Sequence, residues 1–295
     1  MSSPDSRTTG VRVGAHVSAA GGLERAVANA QAAGCEAFQV WASNPRAWAL
    51  PPDDPARDER FRVLVAEAGL GPVFVHAPYL VNLASTNQQS ARRSRAMLAA
   101  TLARAAGMGV AGVVVHAGYE TGGGRPRALA ATRDGLLDVV GDDGAGPVVA
   151  LELTADGKGS LASRFEQVAE LLAACDDHPR LTVCLDTCHA HAAGYDLTGR
   201  GAATATIDHL VAAVGGRVAL VHANDTREPR GARLDRHWHV GEGLIGDDGF
   251  AAVLAHPGLY GTAMITETPG EQADHARNVA RLKRLRAAGR PAPVS

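Results

Sequence analysis

Short apolar runs alternate with longer amphipathic segments along almost the whole chain. The runs lie at 11–16, 37–41, 72–76, 112–116, 147–152, 181–186, 217–222 and 262–267. Each is brief and rich in Val, Leu, Ile or Ala, as expected of strands buried on both faces. Segments of helical pattern lie between them, at 22–33, 56–68, 87–106, 161–175 and 272–287 among others. Eight strands alternating with helices predict an α/β fold of the (β/α)8 TIM-barrel type. The glycine-rich stretches 122–124 and 141–146 read as a loop and a helix-to-strand turn, since neither opens a helix with the P-loop pattern. One domain over residues 11–288 is expected, with disordered tails at 1–10 and 289–295.

The polar residues that close these runs carry the chemical signal. VFVH ends in His76, VVVH in His116, VVALE in Glu152, LTVCLD in Asp186, VALVH in His222 and MITE in Glu267. His189 follows Asp186 by three residues, and Asp235 and His237 stand together in RLDRHWH. Barrel active sites form at the carboxyl ends of the strands, where these residues fall. A single histidine there is more often a hydrogen-bonded structural residue than a metal ligand. Many such groups converging on one face change the balance, because buried carboxylates are costly without a compensating cation. A network of His–carboxylate pairs is the structural alternative. A catalytic zinc takes about three protein ligands, so this many donors point to more than one ion.

Composition adds limits. The chain has 295 residues, 46% hydrophobic and 20% charged, with a formal net charge of −2. No global basic surplus advertises nucleic-acid binding, although a local patch can still hold phosphates. Cys35, Cys175, Cys184 and Cys188 lack paired metal or redox spacing and read as small buried hydrophobes. The first residues show no apolar signal-peptide core, and no run reaches membrane-spanning length, so a cytoplasmic protein is expected.

Five longer motifs then come into view: GAHVSAAGG (14–22), HAPYLVNLAS (76–85), LDTCHAHAAGYD (185–196), HANDT (222–226) and LDRHWHVGEG (234–243). With these the chain resembles the endonuclease IV family of apurinic/apyrimidinic endonucleases, from about residue 11 to about residue 285. The resemblance implies a barrel holding three zinc ions. His76, His116 and Glu152 would hold one. Glu152 would bridge to a second, shared with Asp186, His222 and Glu267. His189, Asp235 and His237 would hold the third. The implied reaction cleaves double-stranded DNA on the 5′ side of an abasic site, leaving a 3′-hydroxyl and a 5′-deoxyribose phosphate. A metal-bound hydroxide would be the nucleophile, with Glu152 as the catalytic residue that orients it. Arg46, Tyr79 and Leu80 would contact DNA and fill the gap left by the missing base, and a monomer is expected.

Some positions depart from that pattern. Leu153 stands where the family usually has Asn, and Asp156 and Lys158 differ from its usual small, polar loop. Leu153 reads as a lost polar contact to Glu152 that an Asn could restore, the less favoured alternative being that Leu153 packs among the helices and an Asn there would be buried unsatisfied. His191 and His239 are extra histidines read as non-ligands. Two rival functions remain at this level: a divalent-metal sugar isomerase or epimerase on a related barrel, and a catalytically silent protein that binds damaged DNA.

Overall fold

A computed structural model describes residues 10–50, 53–142 and 144–288. The tails expected at 1–10 and 289–295 lie outside the described residues, apart from Gly10. The strands are β1 (Arg12–His16), β2 (Ala37–Trp41), β3 (Val73–His76), β4 (Gly112–His116), β5 (Val148–Glu152), β6 (Leu181–Asp186), β7 (Val218–His222) and β8 (Ala263–Thr266). All eight run parallel and close into a barrel in sequence order, β8 pairing with β1. Around them run α1 (Leu23–Ala32), α2 (Pro55–Glu67), α3 (Gln88–Gly107), α4 (Gly124–Val140), α5 (Phe165–Ala174), α6 (Thr187–Ala192), α7 (Arg200–Ala213), α8 (Gly246–Ala255) and α9 (Gln272–Ala288). The TIM barrel expected from the sequence is therefore the fold.

The boundaries differ in small ways that have causes. Pro72 and Pro147 lack the N–H that a ladder requires, so β3 and β5 start one residue later than their apolar runs. The segment predicted helical from 161 turns helical only at Phe165. Before it, Gln167 Oε1 accepts hydrogen bonds from the Ser163 and Arg164 N–H groups at 3.0 and 3.1 Å, which ends the preceding loop and opens α5. Glu267 lies one residue beyond β8.

Two apolar shells follow from the period-two geometry of strands. Outward-facing residues pack with the helices in the main core, among them Val75, Val113, Val149, Leu151, Val183 and Val221. Inward-facing Ala37, Phe74, Val114, Ala150, Cys184, Leu220, Ala263 and Ile265 form a separate cluster inside the barrel. The next inward residue, two positions on, is polar in each case where the strand points at the mouth. Phe74 leads to His76, Val114 to His116, Ala150 to Glu152, Cys184 to Asp186, Leu220 to His222 and Ile265 to Glu267. Gly14 leads to His16 and Ala37 to Gln39 in the same way. The barrel thus carries a polar ring on an apolar floor. Parallel pairing sets His116 beside Glu152 and Asp186 beside His222, so these side chains share one face of the sheet.

All four cysteines are buried and free, as expected of small hydrophobes. Among the described residues no helix is long and apolar enough to cross a membrane.

Gly14 pairs with Ala37, and a Cβ at position 14 would collide with the Ala37 carbonyl. That obstacle is backbone, which cannot rotate aside. Gly14→Ala is expected to destabilise the protein by about 1–3 kcal/mol, as overpacking does. Denaturant unfolding measures it, and a parent-like midpoint would show that β1 and β2 can separate freely.

Candidate metal centre

The mouth of the barrel is rich in carboxylates and imidazoles, buried at its base and open to solvent at His116 and Asp235. Glu152 and Asp186 are 1% and 0% exposed, and His76, His189 and His222 are equally inaccessible. The donor atoms fall into overlapping groups. His76 Nε2 and His116 Nε2 lie 2.9 and 3.1 Å from Glu152 Oε2. The other oxygen, Glu152 Oε1, lies 3.1 Å from His222 Nδ1, which is itself 3.1 Å from Glu267 Oε2. Asp235 Oδ1 stands 3.1 Å from His189 Nε2 and 3.2 Å from His237 Nε2. Each carboxylate oxygen of Glu152 therefore faces a different set of partners.

Asp186 holds an intermediate place. Its Oδ2 is 3.9 Å from His222 Nδ1 and 3.4 Å from His237 Nε2. The resemblance placed it with His222 and Glu267, whereas the structure puts it within reach of the His189 and His237 group as well.

Backbone and side-chain acceptors fix the imidazole tautomers. His76 Nδ1–H donates to the Ala77 carbonyl at 2.7 Å, and His189 Nδ1–H donates to the Leu153 carbonyl at 2.7 Å. His237 Nδ1–H donates to the Glu267 carbonyl at 3.2 Å, and His222 Nε2–H donates to Gln39 Oε1 at 3.1 Å. In each ring the remaining nitrogen faces the carboxylates, the usual arrangement of a metal-binding histidine. His189 Nε2 and His237 Nε2 are buried without a hydrogen-bond partner, despite their nearness to Asp235. Donors on a tetrahedral zinc, at about 2.0–2.1 Å from it, stand roughly 3.3 Å apart, which these spacings approach. The nitrogen and oxygen donors suit zinc. The donor set fits the metal.

Electrostatics point the same way. Burial opposes charge on every group here, yet the groups compensate one another. For Glu152 burial would raise the pKa, but His116 and His222 hold it well below the usual carboxylate range. For His237 burial lowers the pKa, and Asp186 and Asp235 push it up to about 9. His189 is raised well above its ordinary value against the same burial, by Asp186 and Asp235. A metal entering the cluster would displace these protons. Cys188 sulfur also comes within reach of Asp235 and His237. Burial, with Asp186 beside it, pushes its pKa up to about 12, so without a metal it stays a neutral thiol.

Several supporting residues escaped the sequence reading. Gln39 Nε2 donates to Glu267 Oε1 at 2.7 Å, and His16 Nδ1 lies 3.1 Å from the same oxygen. Asn224 Nδ2 donates to Asp186 Oδ2 at 2.7 Å, while its Oδ1 accepts from the Glu267 N–H at 2.7 Å. Asp225, fully buried, accepts from the N–H groups of Thr226, Gly241, Gly243, Ile245 and Gly246, which folds the loop carrying Asp235 and His237 onto β7. A Gln inside the apolar run AFQVW and the motif HANDT were the available signals. His191 and His239 fall in none of the metal-capable groups among the described residues.

The residues assigned to DNA lie on loops around this mouth. Tyr79 is 54% exposed, its ring 4.8 Å from that of Trp41 and 5.7 Å from those of His76 and His116. Leu80 is half-buried beside it and Arg46 is exposed on the loop after β2. Asn82 anchors the Tyr79 loop, donating to the Tyr119 carbonyl at 2.9 Å and accepting from the Tyr119 N–H at 3.2 Å.

Leu153 departs from its expected role. Its side chain is 1% exposed and belongs to the main apolar core, so it does not stand where a polar group would meet Glu152. What it offers the site is its carbonyl, on His189.

Fold and rim together define a TIM-barrel protein whose mouth gathers several groups of side chains that could hold metal ions. The profile of the xylose isomerase-like TIM barrel family matches residues 27–287. A relative from Streptomyces coelicolor named probable endonuclease 4 is 46% identical over 281 residues, 93% of this chain and 95% of its own length. The crystal structure of endonuclease IV from Thermus thermophilus is 38% identical and superposes with a TM-score of 0.83, covering 94% of this chain and 99% of that one. The chain belongs to the endonuclease IV family. A D-tagatose 3-epimerase-like protein, 20% identical with a TM-score of 0.73 over 95% of this chain and 98% of its own, shares the fold.

Leu153→Asn is expected to destabilise the protein by about 2–4 kcal/mol, through lost apolar burial and an unpaired amide. Denaturant unfolding with metal content measured alongside checks this. Unchanged stability would mean that the position can open to a polar partner.

Proposed function

We propose that this protein is a DNA-repair endonuclease that hydrolyses the phosphodiester bond 5′ to abasic sites in duplex DNA, with three zinc ions per chain. The observation that carries the reading is Glu152, whose two buried oxygens face separate groups of imidazole and carboxylate donors. His76 and His116 would complete one site with it, and Asp186, His222 and Glu267 the next. His189, Asp235 and His237 would complete the third. When bound, zinc supplies positive charge to phosphate oxygens and lowers the pKa of coordinated water toward about 7.

The chain's own groups then have distinct tasks. Glu152 spans two sites and holds a negative charge where an attacking water must be oriented. Main-chain carbonyls of Ala77, Leu153 and Glu267 keep the imidazoles in one tautomer. Tyr79 and Leu80 project an aromatic and an aliphatic group beside the centre, suited to fill a stack that lacks a base. Arg46 supplies a cation for the backbone or groove. Extruding a base-less nucleotide costs less than extruding a stacked one, which favours the lesion. An epimerase on this barrel would not need the Asp235 and His237 loop, and a silent binding protein would not need buried carboxylates.

Incubating the protein with a duplex carrying one stable abasic analogue tests this, with elemental analysis of the same sample. Chelator-sensitive 5′ incision and zinc near three per chain are expected. Full activity with one equivalent of metal or less would sink the trinuclear centre. Glu152→Gln should lower kcat by more than about 100-fold, beyond what outer partners of a metal site contribute, while DNA binding persists. Near-normal turnover would remove Glu152 from its role.

Tyr79→Ala should reduce the preference for abasic over intact duplex by roughly 10-fold, the scale of one lost stacking contact. Binding to intact duplex should stay as it was, because phosphate contacts are untouched. Competition between the two duplexes reads this out, and parent-like selectivity would mean that Tyr79 only packs on Trp41.

A further inference from the structure

A cleft of about 300 Å³ opens beside the His189 and Asp235 group, bordered by Tyr79 and Tyr119. Lys158 and Arg233 also line it, so the cleft carries two cations next to the metal centre. Lys158 comes from the loop after β5, and Arg233 from the loop after β7 that also carries Asp235. The two loops are tied together at one residue. Asp156 Oδ2 lies 3.1 Å from Arg233 Nε and 3.7 Å from Arg164 Nη2. Its Oδ1 accepts a hydrogen bond from Ser163 Oγ at 2.8 Å. Asp156 has a left-handed backbone, φ 61°, and so does Arg233, φ 59°. The Arg233 N–H donates to the Ala192 carbonyl at 3.0 Å. Asp156 is therefore held by its own loop, and the Arg233 backbone is tied to the end of α6.

The pairing engages Nε and leaves the outer guanidinium edge. Among the described residues no partner takes Arg233 Nη1 or Nη2. With a carboxylate 3.1 Å from its Nε and no hydrogen bond on Nη1 or Nη2 among the described residues, the Arg233 guanidinium has its outer edge available, the edge that suits a phosphate. A nucleic-acid strand with one phosphate on the metal centre carries the next one nucleotide away.

We propose that Arg233 holds a substrate phosphate neighbouring the cleaved one, with Lys158 opposite it, and that Asp156 is a positioning residue that aims Arg233. This rests on the endonuclease reading above and adds residues to it. The pair is partly exposed, so Asp156 alone is worth a modest factor.

The experiment uses the full chain, loaded with zinc, on the abasic duplex at several salt concentrations. Arg233→Ala should raise KM about 10-fold and reduce the slope of log KM against log salt by about 0.9, one phosphate contact. Asp156→Asn keeps the left-handed backbone, which Asn tolerates, and keeps an oxygen for Ser163. It should raise KM about two- to five-fold, within the range of an exposed pair, with kcat and zinc content unchanged. The double variant should match Arg233→Ala. Additive KM effects in the double variant, or loss of zinc from Asp156→Asn, would overturn the proposal, the latter by showing that Asp156 acts through the Asp235 loop. A parent protein that fails to incise the duplex overturns the endonuclease reading itself. A parent that incises, with Asp156→Asn indistinguishable from it, overturns only this proposal.

Discussion

Two carboxylates, Glu152 and Asp186, end parallel strands at a point that solvent does not reach. Removing a carboxylate from water costs several kcal/mol unless opposite charge and hydrogen bonds replace the hydration. The rest of the mouth is arranged around that cost. Imidazoles from β3, β4 and β7 face Glu152, and His189 and His237 reach toward Asp186 from beyond β6 and β7. Protons on those imidazoles satisfy the charge in part. Bound metal ions would satisfy it more completely and take up the nitrogens that the carbonyl contacts have already aimed. Charge compensation, more than any single ligand, is what makes the constellation coherent.

Orientation comes largely from the main chain. Three of the four tautomer-setting contacts end on backbone carbonyls, those of Ala77, Leu153 and Glu267. A carbonyl persists whatever side chain the position carries. Leu153 can therefore serve His189 without a polar side chain: the side chain joins the core while the carbonyl keeps its contact. Asp225 applies a similar logic on a larger scale. One buried carboxylate gathers five N–H groups and so folds a loop that has no strand or helix to define it.

Much of this was legible in the sequence because strands have period two. An inward apolar residue followed two positions later by His, Asp or Glu marks a group aimed at the barrel axis, and six strands carry that mark. The barrel itself follows from the same runs. Gln39 was not legible because it sits inside its run, and His16, although it closes β1, acts on Glu267 and Gln39 and belongs to none of the donor groups. Gln39 looks like an interruption in AFQVW until β1, β7 and β8 are placed beside it. Leu153 misled for a related reason. Near a strand end, alternation says which way a side chain turns, but not that a helix already covers that side. Asp156 could be noticed as a departure, yet its partner Arg233 lies on the loop of another strand.

The fold alone would not have chosen between the rival functions. A D-tagatose 3-epimerase-like barrel shares the scaffold at 20% identity, as expected when chemistry resides in a site grafted on a common architecture. What separates the readings is the segment after β7. Asp235 and His237 belong to no strand, and their position depends on Asp225, on the pairing of Asp225 with Trp238, and on Arg233 beside them. A barrel that keeps its strand-end ring but lacks this folded loop would retain the donors around Glu152 and lose the group formed by His189, Asp235 and His237. Under the proposed function, the distinguishing group therefore rests on a loop whose shape is set by one buried aspartate.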